Sequence, residues 1–399
     1  MLQRIPRTVR ILAWISFFTD VASEMLYPVM PLYLKSIGFT MIGIGILEGI
    51  AEALVGLSKG FFGKWSDMLG KRVPFVRWGY GLSAVSKPLM VAFSYPLWIF
   101  FMRILDRLGK GIRTSPRDAL LSQEATPNTK AQIFGFHRSM DTLGAVLGPL
   151  LALAFLYFFP LNYQLLFLIA FIPGFFALVA TFLLREKNSI QQNENSTQPS
   201  FLSFLNYWKS STSNYKRLVS GFLFFALFNS SDTFLLLQLK KLGYDDLLVI
   251  TVYIFYNLVY ALFAYPFGIL ADKIGIKKIF LLGLLGFIMV YIGMAFNSNL
   301  YVFFLLFFVY GLYAAVTEGI SKAWITKTCL LKDTATALGF FTALQSISFL
   351  LANLFTGLLA ELFHLEIAFM ITACSVSFVS IYFIFKVPST YDVHGNHQK

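Results

Sequence analysis

Charge is what this 399-residue chain has least of: Asp, Glu, Lys and Arg together make 13% of it, about half the share of an ordinary soluble domain. That shortage argues against a soluble domain. Cysteine is nearly absent. Cys329 and Cys374 fall in or beside apolar segments and form no Cys-x-x-Cys or Cys/His pattern, so neither a disulfide framework nor a zinc site is indicated. The histidines are His137, His364, His394 and His397. Two lie in the tail, one in a loop, and His137 stands among Phe and Ser. No nucleophile–base pair or metal cluster emerges, so an enzyme is not expected and no metal or cofactor is assigned. No Gly-x-x-x-x-Gly-Lys-Ser/Thr stretch appears, which removes the P-loop ATPase signature.

What is there is grease: 57% hydrophobic residues, 45 of them Phe. Windows of about 20 mainly apolar residues recur from end to end, the length a helix needs to cross a bilayer core. Transmembrane strands would show roughly ten-residue alternating segments instead. The spans expected are about 10–34, 40–63, 75–93, 97–121, 131–157, 164–184, 217–239, 247–270, 279–296, 301–324, 334–360 and 365–386. The N-terminus imitates a signal peptide, but Asp20 and Glu24 interrupt its apolar run and no small-residue cleavage site follows, so it reads as a retained first span. The expectation is an all-α integral membrane protein with twelve transmembrane helices in two six-helix bundles, 1–184 and 217–386. A polar, Asn-, Gln- and Ser-rich linker, 185–216, joins them and is expected to be mobile, and 387–399 forms a tail.

The net charge of +12 does not point to nucleic acid, because the bases gather in loops on one side. With the N-terminus inside, cytoplasmic segments hold Arg4, Arg7, Arg10, Lys64, Lys71, Arg72, Arg77 and most of the other loop bases. The opposite side holds Lys35, Lys240 and Lys241. That bias places both termini in the cytoplasm.

The halves resemble one another at an offset of about 205. LKSIGF (34–39) matches LKKLGY (239–244), and GKWSDMLGKR (63–72) matches GILADKIGIK (268–277). Asp67 falls over Asp272 and Gly70 over Gly275; after a one-residue slip AQIFGF (131–136) falls over ATALGF (335–340). Parallel six-span repeats are how many secondary transporters build a midplane site between two halves.

The chain resembles the major facilitator superfamily over essentially its whole length. The resemblance rests on the twelve spans, the long central loop and a loop motif carried by Gly63, Asp67, Gly70, Lys71 and Arg72, with a looser second copy at Gly268, Asp272, Gly275, Lys277 and Lys278. Span 4 resembles a second family motif as Arg107-Leu108-Gly109-Lys110-Gly111, and Gly144–Pro149 partly resembles a hinge motif associated with antiporters. The resemblance implies that Asp67 sits at the N-terminus of a facing helix, where an anion is favoured, that Arg72 pairs with Asp118, and that these groups gate the cytoplasmic side. It also implies a monomer.

Charges inside spans cost at least about 2.5–3.5 kcal/mol at the bilayer centre, so they are paired or face water. Asp20 and Glu24 lie at i and i+4 in span 1, and Glu48 and Glu52 in span 2; Arg103, Asp106, Arg107, Lys110 and Arg113 stripe span 4; Arg138 and Asp141 lie in span 5. Lys59 and Lys87 lie nearer span ends, where they can snorkel. The resemblance puts spans 1, 4, 7 and 10 around the cavity, so span 1 acids face span 4 bases. Asp232 in span 7 and Glu318 and Lys322 in span 10 are the main buried charges of the second half, which is otherwise rich in Tyr and Phe. The expected function is a secondary active transporter of the inner or plasma membrane, working by alternating access. Arg103, Arg107, Lys110, Arg113, Arg138, Asp232, Glu318 and Lys322 contact a small organic anion or zwitterion, and Asp20, Glu24, Asp106 and Asp141 carry the coupling ion, H+. Bidentate Arg suits carboxylate or phosphate. The alternatives are multidrug-type efflux of amphipathic compounds and, more distantly, a non-transporting membrane sensor or membrane enzyme.

Overall fold

In hydrocarbon every backbone polar group must find its partner inside the chain, and helices do this residue by residue. The computed structural model describes residues 5–27, 29–30, 33–34, 37–38, 41–160, 162–186 and 199–388; the side chains of 41–50, 52–53 and 246–247 are outside that description. Glu48, Glu52, linker residues 187–198 and tail residues 389–399 therefore lie outside the described residues. The first half forms α1 (Arg7–Glu24), α2 (Met41–Leu69), α3 (Val73–Ala92), α4 (Pro96–Glu124), α5 (Lys130–Phe158) and α6 (Tyr163–Thr181). The second forms α7 (Ser213–Ala226), α8 (Thr233–Lys241), α9 (Asp246–Ile274), α10 (Ile276–Phe296), α11 (Leu300–Thr326), α12 (Thr334–Phe363) and α13 (Leu365–Lys386). The expected all-α membrane architecture is what is found. By length and composition α5, α6 and α9–α13 are long and apolar enough to cross a membrane. Helices α1 and α4 miss that standard: α1 carries Arg7, Arg10, Asp20 and Glu24, and α4 carries its charged stripe.

Two compact units emerge from the contacts. Unit 1 comprises Met1–Glu124, Met140–Tyr207 and Leu331–Ala343; unit 2 comprises Ala125–Ser139, Trp208–Leu330 and Leu344–Lys399. The first turns of α5 thus pack with unit 2 and the first turns of α12 with unit 1.

Unit 1 is held by close backbone approach. A Cβ on Gly109 of α4 would stand 2.6 Å from the Gly79 carbonyl oxygen of α3, and one on Gly111 2.5 Å from Ser58 Cβ of α2. Small residues at such points let membrane helices meet without a hydrophobic driving force. At the cytoplasmic end the Glu186 carboxylate accepts from the free N–H groups of Arg72 and Val73, at 2.9 and 2.8 Å, and so caps α3. Unit 2 is held by rings. Phe222, Phe280, Trp324 and Phe383 join α7, α10, α11 and α13 with centroids 4.9–5.9 Å apart.

Three features depart from the sequence expectation. The first span is interrupted: α1 ends at Glu24 and Met25–Tyr27 form turns, ahead of a proline that disfavours helix in the residue before it. The seventh is broken between Ala226 and Thr233. There the run Asn229-Ser230-Ser231-Asp232 offers side chains that compete for the backbone. Ser231 Oγ accepts from Thr233 N at 3.2 Å, and Asn353 of α12 accepts from Ser231 N at 2.8 Å. Finally, part of the linker expected to be mobile is ordered: Ser203–Asn206 is a 3-10 turn, Tyr207–Ser210 an α-helical one, and the buried Phe204 ring lies against Gly60 of α2.

Candidate functional site

The charged stripe of α4 forms one wall of a polar cleft in unit 1. Arg103, Asp106, Arg107, Lys110 and Arg113 line it with Ser83 of α3, with Asp20, Ser23 and Glu24 at the end of α1 and with Tyr27 in the turn that follows. Its free space is ≈ 30 Å³, room for ordered water rather than a solute. The structure therefore brings the span 1 acids and span 4 bases to one place.

The back of the cleft is an ion-pair cluster. Ser83 Oγ donates to Asp106 Oδ1 at 2.6 Å and accepts from Arg113 Nη1 at 3.0 Å. Lys87 Nζ donates to the Ser83 carbonyl at 2.9 Å and lies 3.4 Å from Asp106 Oδ1; Arg103 Nη1 is 3.7 Å from Asp106 Oδ2. Arg113 also stacks over Tyr80 at 4.4 Å. Lys87, expected to snorkel, is 1% exposed instead. Asp106 and the Ser83 carbonyl provide inside the protein what the interface would have provided outside. Ser83 itself was missed by the sequence reading; its one signal is its place one turn before Lys87.

A second chain of polar contacts runs from α4 to α1 and α5. Arg117 Nε and Nη2 donate to Asp118 Oδ1 at 3.0 and 2.9 Å, and Arg117 Nη1 reaches Ser16 Oγ at 3.4 Å. Ser16 Oγ in turn donates to Asp141, whose carboxyl group meets that of Asp20. The glycines of the GAVLGP stretch explain how α5 comes so near. A Cβ on Gly144 would stand 2.6 Å from the Phe17 carbonyl oxygen and 3.0 Å from Asp20 Cβ; one on Gly148 would stand 2.8 Å from Glu24 Cβ. Gly144 and Gly148 thus seat the two acids of α1.

Two clamps use the loop motif. In unit 1, Asp67 Oδ2 accepts from Thr336 N at 2.7 Å and Thr336 Oγ1 at 2.9 Å, in the first turn of α12. Free N–H groups and the helix dipole both favour an anion there. Arg72, 0% exposed, donates to Asp67 Oδ1 at 2.9 Å and to the carbonyls of Ala119 and Leu331. The sequence pointed Arg72 to Asp118; the Arg72 guanidinium instead holds Asp67, while Asp118 holds Arg117. In unit 2, Asp272 Oδ2 accepts from Gln132 N at 2.7 Å in the first turn of α5, with Lys327 Nζ 3.4 Å from Oδ1. Gly63 and Gly268 make both approaches possible: their Cβ positions would stand 2.5 and 2.4 Å from the carbonyl oxygens of Ala335 and Ala131. Gly70 and Gly275 turn the chain after α2 and α9 with φ of +63° and +108°, a region open to glycine. Lys71 is exposed.

The remaining predicted residues are in unit 2. Arg138 Nη2 is 3.3 Å from Glu318 Oε2, and its guanidinium stacks on Tyr260 at 5.2 Å while donating to the Tyr260 hydroxyl. Lys322 is half-buried one turn beyond Glu318. Asp232 lies at the break between α7 and α8, bonded to Tyr256 and Ser231. Unit 1 thus collects Asp20, Glu24, Asp106, Asp141 and the α4 bases, and unit 2 the Arg138–Glu318 pair and Asp232.

The sequence profile of the Major Facilitator Superfamily matches residues 12–256 and 218–399. An uncharacterized MFS-type transporter of Methanocaldococcus jannaschii is 33% identical over 363 residues, which is 90% of this chain and 89% of that protein. The multidrug resistance protein MdtG of a Rahnella strain is 26% identical over 146 residues, 35% of this chain and 34% of that protein. The crystal structure of the human organic anion transporter MFSD10 superposes with a TM-score of 0.77 at 16% identity, covering 94% of this chain and 99% of that one.

Proposed function

The chain belongs to the major facilitator superfamily, a family of transporters, and from that membership we propose that it is a proton-coupled secondary active transporter for a small organic anion or zwitterion. The observation that carries the substrate class is the unit 1 cleft, where Arg103, Arg107, Lys110 and Arg113 outnumber Asp20, Glu24 and Asp106. Arg forks capture carboxylate or phosphate bidentately. Asp106 is already held by Lys87 and Arg103, so it orders the bases. Arg107 and Lys110 face the cleft beside Glu24 and are the substrate-facing pair.

Coupling falls to Asp20, Asp141 and Glu24. Two carboxyl groups in contact are stable with a proton between them, and Asp20 and Asp141 meet in that way. An anion arriving at Arg107 and Lys110 draws those bases away from the acids, and the acids then take up a proton. The reverse exchange returns it. The Asp67 and Asp272 clamps, beside loops whose Lys and Arg content assigns them to the cytoplasm, are the contacts that break when the cytoplasmic side opens. Both termini lie on that side of the inner or plasma membrane, and one chain suffices.

The test is flux into proteoliposomes under an imposed pH gradient, with candidate anions chosen by comparing metabolites of cells with and without the protein. Asp20→Asn together with Glu24→Gln should abolish pH-driven counterflow, and Arg107→Gln should abolish anion uptake. Unchanged coupling in the acid variants would remove the proton assignment. Multidrug-type efflux is the second reading, favoured by the partial likeness to MdtG and the aromatic interior of unit 2. A site that accepts esterified analogues as well as free acids would favour it.

A further inference from the structure

Unit 2 holds a carboxylate that no base accompanies. Asp232 accepts a hydrogen bond from the Tyr256 hydroxyl and one from Ser231 Oγ at 3.2 Å. Among the described residues no Lys, Arg or His pairs with it; the ion pairs of unit 2 include Arg138–Glu318, Lys241–Glu366 and Lys327–Asp272. Every acid of the unit 1 cleft has bases beside it. A carboxylate within a span that lacks one is costly, and such residues are kept for binding or transport.

The surroundings are aromatic. Tyr256 stands perpendicular to Tyr253 at 5.4 Å and to Tyr310 at 5.3 Å, and Tyr310 is 5.4 Å from Tyr313. Tyr256, Tyr310, Tyr313 and Tyr291 are all buried. Tyr291 and Tyr310 lie within electrostatic reach of Asp232. Gly311 of α11, where a Cβ would stand 2.7 Å from the Tyr256 carbonyl oxygen, lets α9 and α11 converge there. Two further hydroxyls at this place, Ser230 Oγ and Tyr291 Oη, are buried beside each other.

A broken helix, a carboxylate without a base and converging tyrosine rings together make a receptor for positive charge. Hard metal ions want a shell of six or more oxygens at fixed distances. This lining is mostly ring, and rings attract the softer, larger charge of a substituted ammonium. We propose that Asp232, Tyr256, Tyr310 and Tyr291 recognise an ammonium group of the transported solute. That gives the solute an ammonium group. The inference rests on the transporter reading above and narrows it.

The test uses the full chain in lipid nanodiscs with choline as probe and its uncharged isostere 3,3-dimethylbutan-1-ol as control, read by calorimetry or thermal shift. Choline should bind saturably and the isostere should not. Asp232→Asn should weaken choline about tenfold or more, and Tyr310→Leu about threefold, by loss of charge and of a ring face respectively. Tyr256→Phe keeps the ring but removes the hydroxyl that competes for the carboxylate, so choline should bind as well or tighter. The comparison of choline with its isostere, and the Tyr256→Phe variant, hold even if Asp232→Asn fails to fold. The proposal is overturned if choline binds no better than the isostere, if Asp232→Asn binds it unchanged, or if sodium chloride stabilises the protein through Asp232 where choline chloride does not. Choline does not engage the α4 bases, so its failure leaves pH-driven anion flux, and the Arg107→Gln result, standing on their own.

Discussion

In unit 1 the Gly63 backbone meets the Ala335 carbonyl and Asp67 takes the Thr336 N–H; in unit 2 Gly268 meets Ala131 and Asp272 takes the Gln132 N–H. These are the same contacts, displaced by the repeat of about 205 residues. The groups that complete them differ. Asp67 is answered by Arg72, which has no exposure, while Asp272 is answered by Lys327, whose side chain is 26% exposed. The polar centres diverge further. The offset puts Ile288 where Ser83 holds Asp106, and unit 2 has tyrosines and a baseless Asp232 where unit 1 has its charged cleft. A duplicated scaffold thus keeps the contacts that shape it and is free to change the chemistry it encloses, because a glycine–carbonyl approach tolerates few substitutions while a cavity wall tolerates many.

The sharpest way to break this comparison is to remove the two clamp acids separately. Asp67→Asn leaves the Arg72 charge buried without its carboxylate and should lower stability by about 3–5 kcal/mol. Asp272→Asn lets Lys327 turn to water and should cost about 1 kcal/mol or less. Thermal or denaturant unfolding of both variants in one detergent decides it; equal losses would mean that the two clamps are energetically the same device. Ser83→Ala comes next. It deletes a donor to Asp106 and an acceptor for Arg113, and should cost about 1.5–3 kcal/mol with reduced anion flux. Full stability would show the ion-pair cluster to be self-sufficient. Gly144→Ala forces a Cβ against the Phe17 carbonyl and should cost about 1–3 kcal/mol. Gly174→Ala, whose Cβ would meet its nearest neighbours only at 3.7–3.8 Å, should stay within about 0.5 kcal/mol of wild type. The same measurement on both variants shows whether unit 1 depends on the close approach of α5 to α1.

Much of this was legible beforehand. The spans follow from apolar length and the repeat from internal sequence matches, while the place of Asp67 at a helix N-terminus and the meeting of α1 acids with α4 bases follow from the family resemblance. What was not legible depends on partners distant in the chain. Hydropathy averages over a window, so it passed across the break at Asn229–Asp232, which is held by Asn353 more than a hundred residues away. Lys87 looked like a snorkelling residue because its depth was judged from span ends, whereas Ser83 and Asp106 decide it. Arg138 was grouped with the other bases by charge, yet the first turns of α5 pack in unit 2, beside Glu318. The linker around Phe204 read as polar spacer because a single ring against Gly60 weighs little in composition.

A small effect is also expected at an exposed ion pair of unit 2. Lys241 Nζ contacts both Glu366 oxygens at 2.7 and 2.9 Å, and Gln238 donates to the same carboxylate at 3.2 Å. Both Lys241–Glu366 distances are shorter than the 3.4 Å of Lys87–Asp106, so geometry alone would rank this pair above it. Exposure reverses the order, since the side chains of Lys241 and Glu366 are 44% and 35% exposed. Water already solvates both charges, and what the pair gains is offset by the entropy of holding a long Lys in place. Lys241→Ala should therefore change stability by roughly 0–1 kcal/mol, and high salt should erase even that. A larger loss, persisting in salt, would mean that the α8–α13 contact is anchored through this pair, and the contrast between the ion-pair cluster of unit 1 and the tyrosine-lined centre of unit 2 would have to be redrawn at the surface as well as in the interior.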